Sequence, residues 1–156
     1  MLGKQIAIRR ATAGDLRAVH EIVLRALRET NARDYPAPVI DRLVLTLPEK
    51  VSSNLETWHA FVAIVDGLIV GTASLSGDTV KSVFVHPDYQ RGGVATKLMD
   101  AIEKLALAQS VRALNVQSSI TAQPFYAKRG FTIVREEFYG EERTIVMSNA
   151  IPGASD

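Results

Sequence analysis

The sequence predicts an α/β protein with one mixed, mostly antiparallel twisted sheet and helices on its faces. Runs rich in β-branched residues are separated by short turns such as Asp66-Gly67, which favours antiparallel hairpins. The clearest helical period, Val94 to Gln109, lies between two strand-like runs, which favours one parallel crossover. With 156 residues, 47% of them hydrophobic, the chain is long enough for one domain with a buried core. We therefore expect a single domain over residues 1–156.

The N-terminal part of the chain predicts one strand and two helices. In order, these are a strand at 5–10, a helix that begins near Thr12 and runs to Leu27, and a shorter helix at Val39–Leu47. Thr12 followed by Asp15 has the spacing of a capping box, which supports that helix start. A loop with two prolines covers residues 33–38. Residues 48–57 begin with a proline, are polar, and give no clear signal.

The rest of the chain predicts six strands and two helices. The strands lie at 60–65, 68–75, 80–85, 112–116, 131–134 and 143–147, and the helices at 94–109 and 122–129. Pro87 ends the third of these strands, because proline cannot donate to a sheet. Gly130 is suited to closing the short helix. The order β, α, α, β, β, β, α, β, α, β, β implies three antiparallel strands followed by one parallel crossover.

Composition excludes several classes of site. The formal net charge is +1, so the basic surface expected of a nucleic-acid-binding protein is absent. With no cysteine, the chain cannot form disulfides, thiolate nucleophiles or cysteine–zinc sites, and its three histidines are scattered, so we expect no metal. The N-terminus lacks the apolar region of a secretory signal, and no apolar run is long enough to span a bilayer. We expect a cytoplasmic protein without membrane or nucleic-acid partners, with a homodimer possible.

The segment Gln90 to Thr96 is a candidate anion site. It opens the long helix, whose N-terminus has unpaired N–H groups and a partial positive charge. Gly92 and Gly93 let the backbone approach a ligand closely, while Arg91 and Thr96 add donors. The alternative is an ordinary strand-to-helix turn. Neither G-x-x-x-x-G-K-[ST] nor G-x-G-x-x-G occurs here, which disfavours nucleoside-triphosphatase and dinucleotide-binding functions.

Two blocks resemble the GNAT N-acetyltransferase family. Residues 90–95, Q-R-G-G-V-A, are similar to its Q/R-x-x-G-x-G/A signature, and residues 119–131 are similar to its S-x-x-A-x-x-F-Y-x-x-x-G-F pattern. One helix and one strand separate the blocks, as in that family, and the resemblance covers about residues 60–147. It implies the GNAT acyl-CoA N-acyltransferase fold, in which acetyl-CoA lies in a V-shaped split between a splayed pair of parallel strands.

The resemblance also assigns cofactor residues by position. Those implied for the pyrophosphate are Arg91, Gly92, Gly93, Val94, Ala95 and Thr96, and those implied for the pantetheine arm are Val83, Phe84 and Val85. Ser119 is expected at the mouth of the split and Phe125 beneath the cofactor. The third signature position is often basic in the family but is Gly92 here, which weakens phosphate binding unless Arg91 compensates.

The implied reaction is direct attack of a primary amine on the acetyl thioester in a ternary complex. Tyr126 matches the family's tyrosine that protonates the leaving sulfur, and a phenol is neutral and able to donate at pH 7. The alternative for Tyr126 is a core aromatic. The general base stays open: Asp78, acting through water, is one candidate, and the others are His59, Glu56 and Glu137.

The acceptor is the least determined part of the site. Tyr35 and Trp58 are candidate substrate-binding residues, although both are equally typical of core caps. The acceptor is either a small-molecule amine or a protein amine. A different class of function, a non-catalytic acyl-CoA sensor or interaction module on the same fold, also remains open, as does an acyltransferase for longer acyl-CoA.

Overall fold

The computed structural model describes residues 5–57 and 59–151. Trp58 and the side chain of Glu56 lie outside this description. In the described part of the chain, seven strands form one sheet: β1 Ala7–Arg10, β2 His59–Val65, β3 Leu68–Ser76, β4 Thr79–Val85, β5 Ala113–Ser119, β6 Thr132–Tyr139 and β7 Glu142–Ala150. The α-helices are α1 Leu16–Glu29, α2 Ala37–Thr57, α3 Val94–Ala108 and α4 Gln123–Lys128.

The sheet has the strand order β1-β2-β3-β4-β5-β7-β6. Each neighbouring pair is antiparallel except β4 and β5, which are parallel and are joined by α3. This topology confirms the predicted mixed sheet with one parallel crossover.

The helices cover both faces of the sheet. Leu98, Met99 and Ile102 of α3 are fully buried against one face. Val19 and Val23 of α1 pack with residues of α2 and β2 on the other face. Burying each such side chain stabilises the fold by roughly 1.5–3 kcal/mol, so the helices on both faces contribute to the stability of the sheet. No helix in the described ranges is long and apolar enough to cross a membrane.

The start of α1 is held to β1 by an ion pair. The Thr12 N–H donates to the Asp15 carboxylate at 2.7 Å, as the capping-box spacing predicts. Arg9 donates to both oxygens of the same carboxylate, at 2.7 and 2.9 Å. This bidentate contact is the main reason that the pKa of Asp15 falls to about 2, so a buried carboxylate fixes the junction between β1 and α1.

The predicted second helix is wrong in its length. Instead of ending at Leu47, α2 continues through Pro48 to Thr57. An internal proline removes one backbone hydrogen bond and costs about 3 kcal/mol. Beyond it, however, Val51 is buried in the cluster that contains Val19, and the Ser52 hydroxyl donates to the Pro48 carbonyl at 3.0 Å. Tertiary burial therefore outweighs the local signal.

The last strands are also longer than predicted. Instead of ending at Val116, β5 continues to Ser119, and β7 covers Glu142–Ala150 because it pairs with both β5 and β6. The largest difference is β6, predicted to end at Val134 but continuing to Tyr139. It is an edge strand with most side chains exposed, so it carries no alternation of apolar and polar residues.

Candidate cofactor and active site

β4 and β5 form a V-shaped split. Their ladder consists of Thr79 with Asn115 and Val80 with Val116. Beyond these pairs β4 continues beside β3, and β5 continues beside β7. The two parallel strands therefore separate toward their C-terminal ends, where the turn before α3 begins.

The inner edge of β4 offers backbone groups to the split. The His86 N–H donates to the Val70 carbonyl at 2.8 Å, toward β3. Because backbone direction alternates along a strand, the N–H and C=O of Val85 point away from β3 and into the split, and the same alternation gives the Val83 C=O this direction. Phe84 instead pairs with Thr72 of β3. Of the three residues predicted for the pantetheine arm, Val83 and Val85 thus have the suitable backbone direction.

A β-bulge lies where the strands part. The β3–β4 register shifts between Thr72 and Ser74, and Ser82 has a φ of +54°. A bulge bends its strand and increases the local twist. Bending at Ser82 directs the second half of β4 away from β5 and so contributes to opening the split.

The turn before α3 has the geometry of an anion site. Gly93 caps the helix with a φ of +88°, a conformation that favours glycine. A Cβ on Gly93 would meet no atom closer than the Ile6 Cδ1 at 4.0 Å, so the space in front of it is open. The first N–H groups of α3, from Val94 to Thr96, have no acceptor within the helix. The predicted residues therefore form one cradle of donors, with Arg91 exposed beside it.

Gly71 of β3 supports this turn from below, and sequence reasoning missed it. A Cβ there would lie 2.8 Å from the Val94 Cγ1 and 3.1 Å from the Leu98 Cδ1. Because Gly71 has no side chain, the first turn of α3 packs directly against the backbone of β3. The signal in the sequence was the run of small residues Gly-Thr-Ala-Ser within a buried strand.

Tyr126 lies on α4 and is 2% exposed. Its ring makes edge-to-face contacts with Phe125 at 5.2 Å and Phe131 at 5.4 Å between centroids. Burial raises the pKa of its phenol above the ordinary value, so the hydroxyl stays protonated. The ring is a core aromatic, and the catalytic role of the hydroxyl stays a prediction.

Ser119 and Phe125 lie on the β5 side of the split. The Ser119 hydroxyl accepts the Ala122 N–H at 3.0 Å and thereby shapes the turn that leads into α4. Phe125 is partly buried against the core. Their roles beside the cofactor stay predictions, and the Ser119 hydroxyl already has a structural partner.

The candidate bases lie in different parts of the molecule. Asp78 is exposed at the closed end of the split, roughly 16 Å along the strand from Val83 at about 3.3 Å per residue, so its position gives the base hypothesis no support. His59 is on β2 and contacts Arg10 and Gln109.

Glu137 is a third candidate and lies on β6. It accepts hydrogen bonds from Gln117 of β5 at 2.6 Å and from Arg135 at 3.3 Å. The Gln117 contact first, and then Arg135, lower the pKa of Glu137. A lowered pKa keeps the carboxylate ionised and makes it a weak base.

The end of α1 and the segment after it connect the two sides of the split, which sequence reasoning also missed. Arg25 lies 2.6 Å from the His86 Nε2, and Gln90 donates to the Thr30 hydroxyl at 3.0 Å. At the other end of the segment, the Tyr35 hydroxyl contacts the turn after β5 at Ile120. Arg25 of α1 and the residues between α1 and α2 therefore bridge the cofactor turn and the turn after β5.

An open groove of about 860 Å³ lies on the β1 side of the turn. It is lined by β1, by Asp66 and Gly67 of the first hairpin, and by Gly92, Gly93 and Thr96 of the turn. It shares the donor cradle with the split but not the inner edge of β4. Among the described residues, no group of three or more histidine, aspartate or glutamate side chains is arranged to hold a metal ion.

Comparison with known proteins gives one consistent family. Residues 43–147 match the model of the acetyltransferase (GNAT) domain. A relative from Escherichia coli K12, the uncharacterized N-acetyltransferase YafP, is 30% identical over 132 residues, which is 85% of each chain.

Solved structures share the whole fold. A GCN5-related N-acetyltransferase from Rhodopseudomonas palustris matches with a TM-score of 0.90 and 28% identity, over 96% of this chain and 98% of that one. YncA from Salmonella typhimurium, solved with its cofactor acetyl-CoA, matches with a TM-score of 0.66 and 21% identity, over 97% and 96% of the two chains. At 21% identity, the similarity to YncA shows a shared fold and nothing more.

Proposed function

The chain belongs to the GNAT acetyltransferase family, and on that premise we propose that it transfers the acetyl group of acetyl-CoA to a primary amine by direct attack in a ternary complex. The observation that carries this proposal is the combination of the β4–β5 split with the donor cradle at its open end. The acceptor, in this proposal, is a small-molecule or protein amine.

The donor cradle fits a pyrophosphate. Its backbone N–H groups point outward from the helix start, and the helix adds a partial positive charge where a phosphate would lie. Gly93 leaves the space in front of these groups open. On the same fold, YncA was solved with acetyl-CoA and an N-acetyltransferase from Thermoplasma acidophilum with coenzyme A, which supports acetyl-CoA as the ligand here.

The inner edge of β4 fits an extended amide-containing arm. The N–H and C=O of Val85 face the split, and an arm with amide groups can pair with them as an added strand does. The Val85 carbonyl accepts a weak contact from the Gln90 side chain at 3.4 Å. The arm would have to displace this exposed amide, which costs little because water can replace it.

Acetyl-CoA, when bound, supplies an electrophilic thioester carbonyl and a thiol leaving group. The chain supplies the rest. In this proposal the Val83 N–H, next to the β-bulge at Ser82, is the donor to the developing oxyanion, a type of contact worth about 100-fold or more in rate. Tyr126 holds a proton that it donates to the departing sulfur. The attacking nitrogen loses one proton to water as the amide forms, and the phenol is reprotonated from solvent. The walls of the split align the amine with the carbonyl.

An assay that separates binding from turnover tests the proposal. Wild-type protein is incubated with acetyl-CoA and a library of amines, free thiol is measured, and intact-protein mass reports self-acetylation. In parallel, ligand at about 100 times its Kd should stabilise the fold by roughly 2.7 kcal/mol. Thiol release with at least one amine is expected. A thermal shift without thiol release would favour the sensor alternative, and the absence of both would overturn the cofactor assignment.

A further inference from the structure

The Tyr35 hydroxyl lies between two backbones of the sheet. It accepts the Ile120 N–H at 2.9 Å and donates to the Arg143 carbonyl at 2.8 Å. The last ladder pair between β5 and β7 is Ser119 with Thr144. The next pair in an antiparallel register would be Ile120 with Arg143, so the hydroxyl occupies the position of the following backbone contact.

A hydroxyl in this position holds the two chains apart. A direct N–H to C=O hydrogen bond spans about 2.9 Å, whereas the same two groups bridged by a hydroxyl lie roughly 5 Å apart. The Tyr35 ring is fixed by Val39 and Ile40 of α2, and the residue is 8% exposed. The spacing between β5 and β7 at this point is therefore set by a buried side chain from the segment before α2.

The turn held in this way leads directly to Tyr126. Ile120 follows the end of β5, the Ser119 hydroxyl accepts the Ala122 N–H, and α4 begins at Gln123. Tyr126 lies one turn later and its N–H donates to the Ala122 carbonyl at 3.3 Å. A shift of the Ile120 backbone would be transmitted to the Tyr126 hydroxyl through this short, hydrogen-bonded path.

We propose that Tyr35 is a positioning residue for acetyl transfer: its hydroxyl replaces a backbone contact between β5 and β7 and thereby fixes the turn that leads into α4 and sets the position of Tyr126. This inference rests on the proposed function. It differs from the predicted role of Tyr35 as a substrate-binding residue, because both hydrogen bonds of its hydroxyl go to the backbone and not toward an open surface.

The test is Tyr35→Phe, which keeps the ring and removes only the bridging oxygen. The Ile120 N–H and the Arg143 carbonyl then either lose their partner or approach each other. We expect kcat to fall at least fivefold with KM for acetyl-CoA within twofold of wild type, because the donor cradle and the β4 edge are untouched. Hydrogen exchange of the Ile120 amide should also change.

A second readout does not depend on turnover. The chain has four tyrosines, so protein labelled with ¹³C at the tyrosine Cζ gives four signals. Tyr35→Phe should remove its own signal and move that of Tyr126. The matched control is Tyr139→Phe, which removes the same oxygen from an exposed ring on β6 and should leave the Tyr126 signal and kcat unchanged.

A second control variant tests whether a general loss of stability alone lowers kcat. Val51→Ala truncates a buried side chain in α2, away from the turn, and should lower the melting temperature while keeping kcat at a temperature where both variants are folded. Unmoved Tyr126 and Ile120 signals, or a kcat above half of wild type in Tyr35→Phe, would overturn the inference. If wild type transfers to no amine, the proposed function fails, while a moved Tyr126 signal would still show that Tyr35 sets the turn.

Discussion

Replacing Tyr126 with phenylalanine removes one oxygen from a ring that is held by packing. The edge-to-face contacts with Phe125 and Phe131 involve only the ring and should survive. Within residues 5–57 and 59–151, the hydroxyl makes no hydrogen bond to another group, so its loss leaves no partner unpaired. We expect the melting temperature to stay within about 2 °C of wild type.

The effect on rate should be much larger than the effect on stability. Burial raises the pKa of the Tyr126 phenol, so the wild-type group remains protonated and able to donate throughout the ordinary pH range. A positioned general acid contributes about 100- to 10,000-fold. Water entering the split can replace part of this, so we expect kcat to fall by at least about tenfold, or roughly 1.4 kcal/mol of transition-state stabilisation, with KM for acetyl-CoA nearly unchanged.

Single-turnover thiol release at saturating acetyl-CoA is the suitable assay, because it isolates the chemical step from product release. Tyr139→Phe serves as the control for removing a phenol elsewhere. If Tyr126→Phe keeps more than half of the wild-type single-turnover rate, the hydroxyl is not the acid and Tyr126 is a core aromatic only. If the variant also loses acetyl-CoA binding, the hydroxyl is a binding group and another donor protonates the sulfur.

Three further predictions concern the cofactor turn and the N-terminal ion pair. Gly93→Val should abolish the thermal shift caused by acetyl-CoA, because a branched side chain at a φ of +88° is strained and fills the space in front of the donors. If the folded variant bound acetyl-CoA with wild-type affinity, this result would contradict the anion site. Gly71→Ala should lower the free energy of unfolding by about 1–3 kcal/mol and raise the Kd for acetyl-CoA, since the new Cβ would lie 2.8 Å from the Val94 Cγ1. An unchanged melting temperature and an unchanged Kd would contradict the close packing of α3 on β3. The pKa of Asp15 is about 2 in the fold, below its ordinary 3.8, so its ion pair with Arg9 stabilises the protein above about pH 4 and is lost as the pH falls toward 2. In denaturant titrations, the loss of stability between neutral pH and about pH 2 should be about 2 kcal/mol smaller in Asp15→Asn than in wild type, and equal losses would refute this role.

Local signals in the sequence predicted most of the fold. The Asp66-Gly67 hairpin and the helix start after Gly93 each depend on residues next to one another in the chain, and both lie where the pattern indicated. The donor cradle was predictable for the same reason, because the glycines, the helix start and Arg91 are consecutive.

Elements governed by distant contacts were not predictable. Pro48 indicates a helix end, and only the burial of Val51 against another helix explains why α2 continues. β6 has an exposed edge and carries charged residues on its middle positions, so it shows no strand-like alternation.

The finer parts of the site depend on register and packing. Phe84 pairs with Thr72 of β3, so the backbone groups of Val85 face the split instead. The sequence does not specify this pairing. Gly71 is recognisable only once α3 is seated on β3. The Tyr35 hydroxyl contacts Ile120 and Arg143, which lie 85 and 108 positions further along the chain, so no local pattern could have indicated its bridging position.

The most direct test of the account is a titration of ¹⁵N-labelled protein with acetyl-CoA, followed by assigned amide signals. Binding in the split predicts large shifts at Val83 and Val85 on the inner edge of β4, together with Gly93 at the start of α3. Ala7 and Gly67, which line the groove on the β1 side, should change little. Shifts at Gly93, Ala7 and Gly67 without shifts at Val83 and Val85, or no shifts with millimolar acetyl-CoA, would contradict binding in the split between β4 and β5.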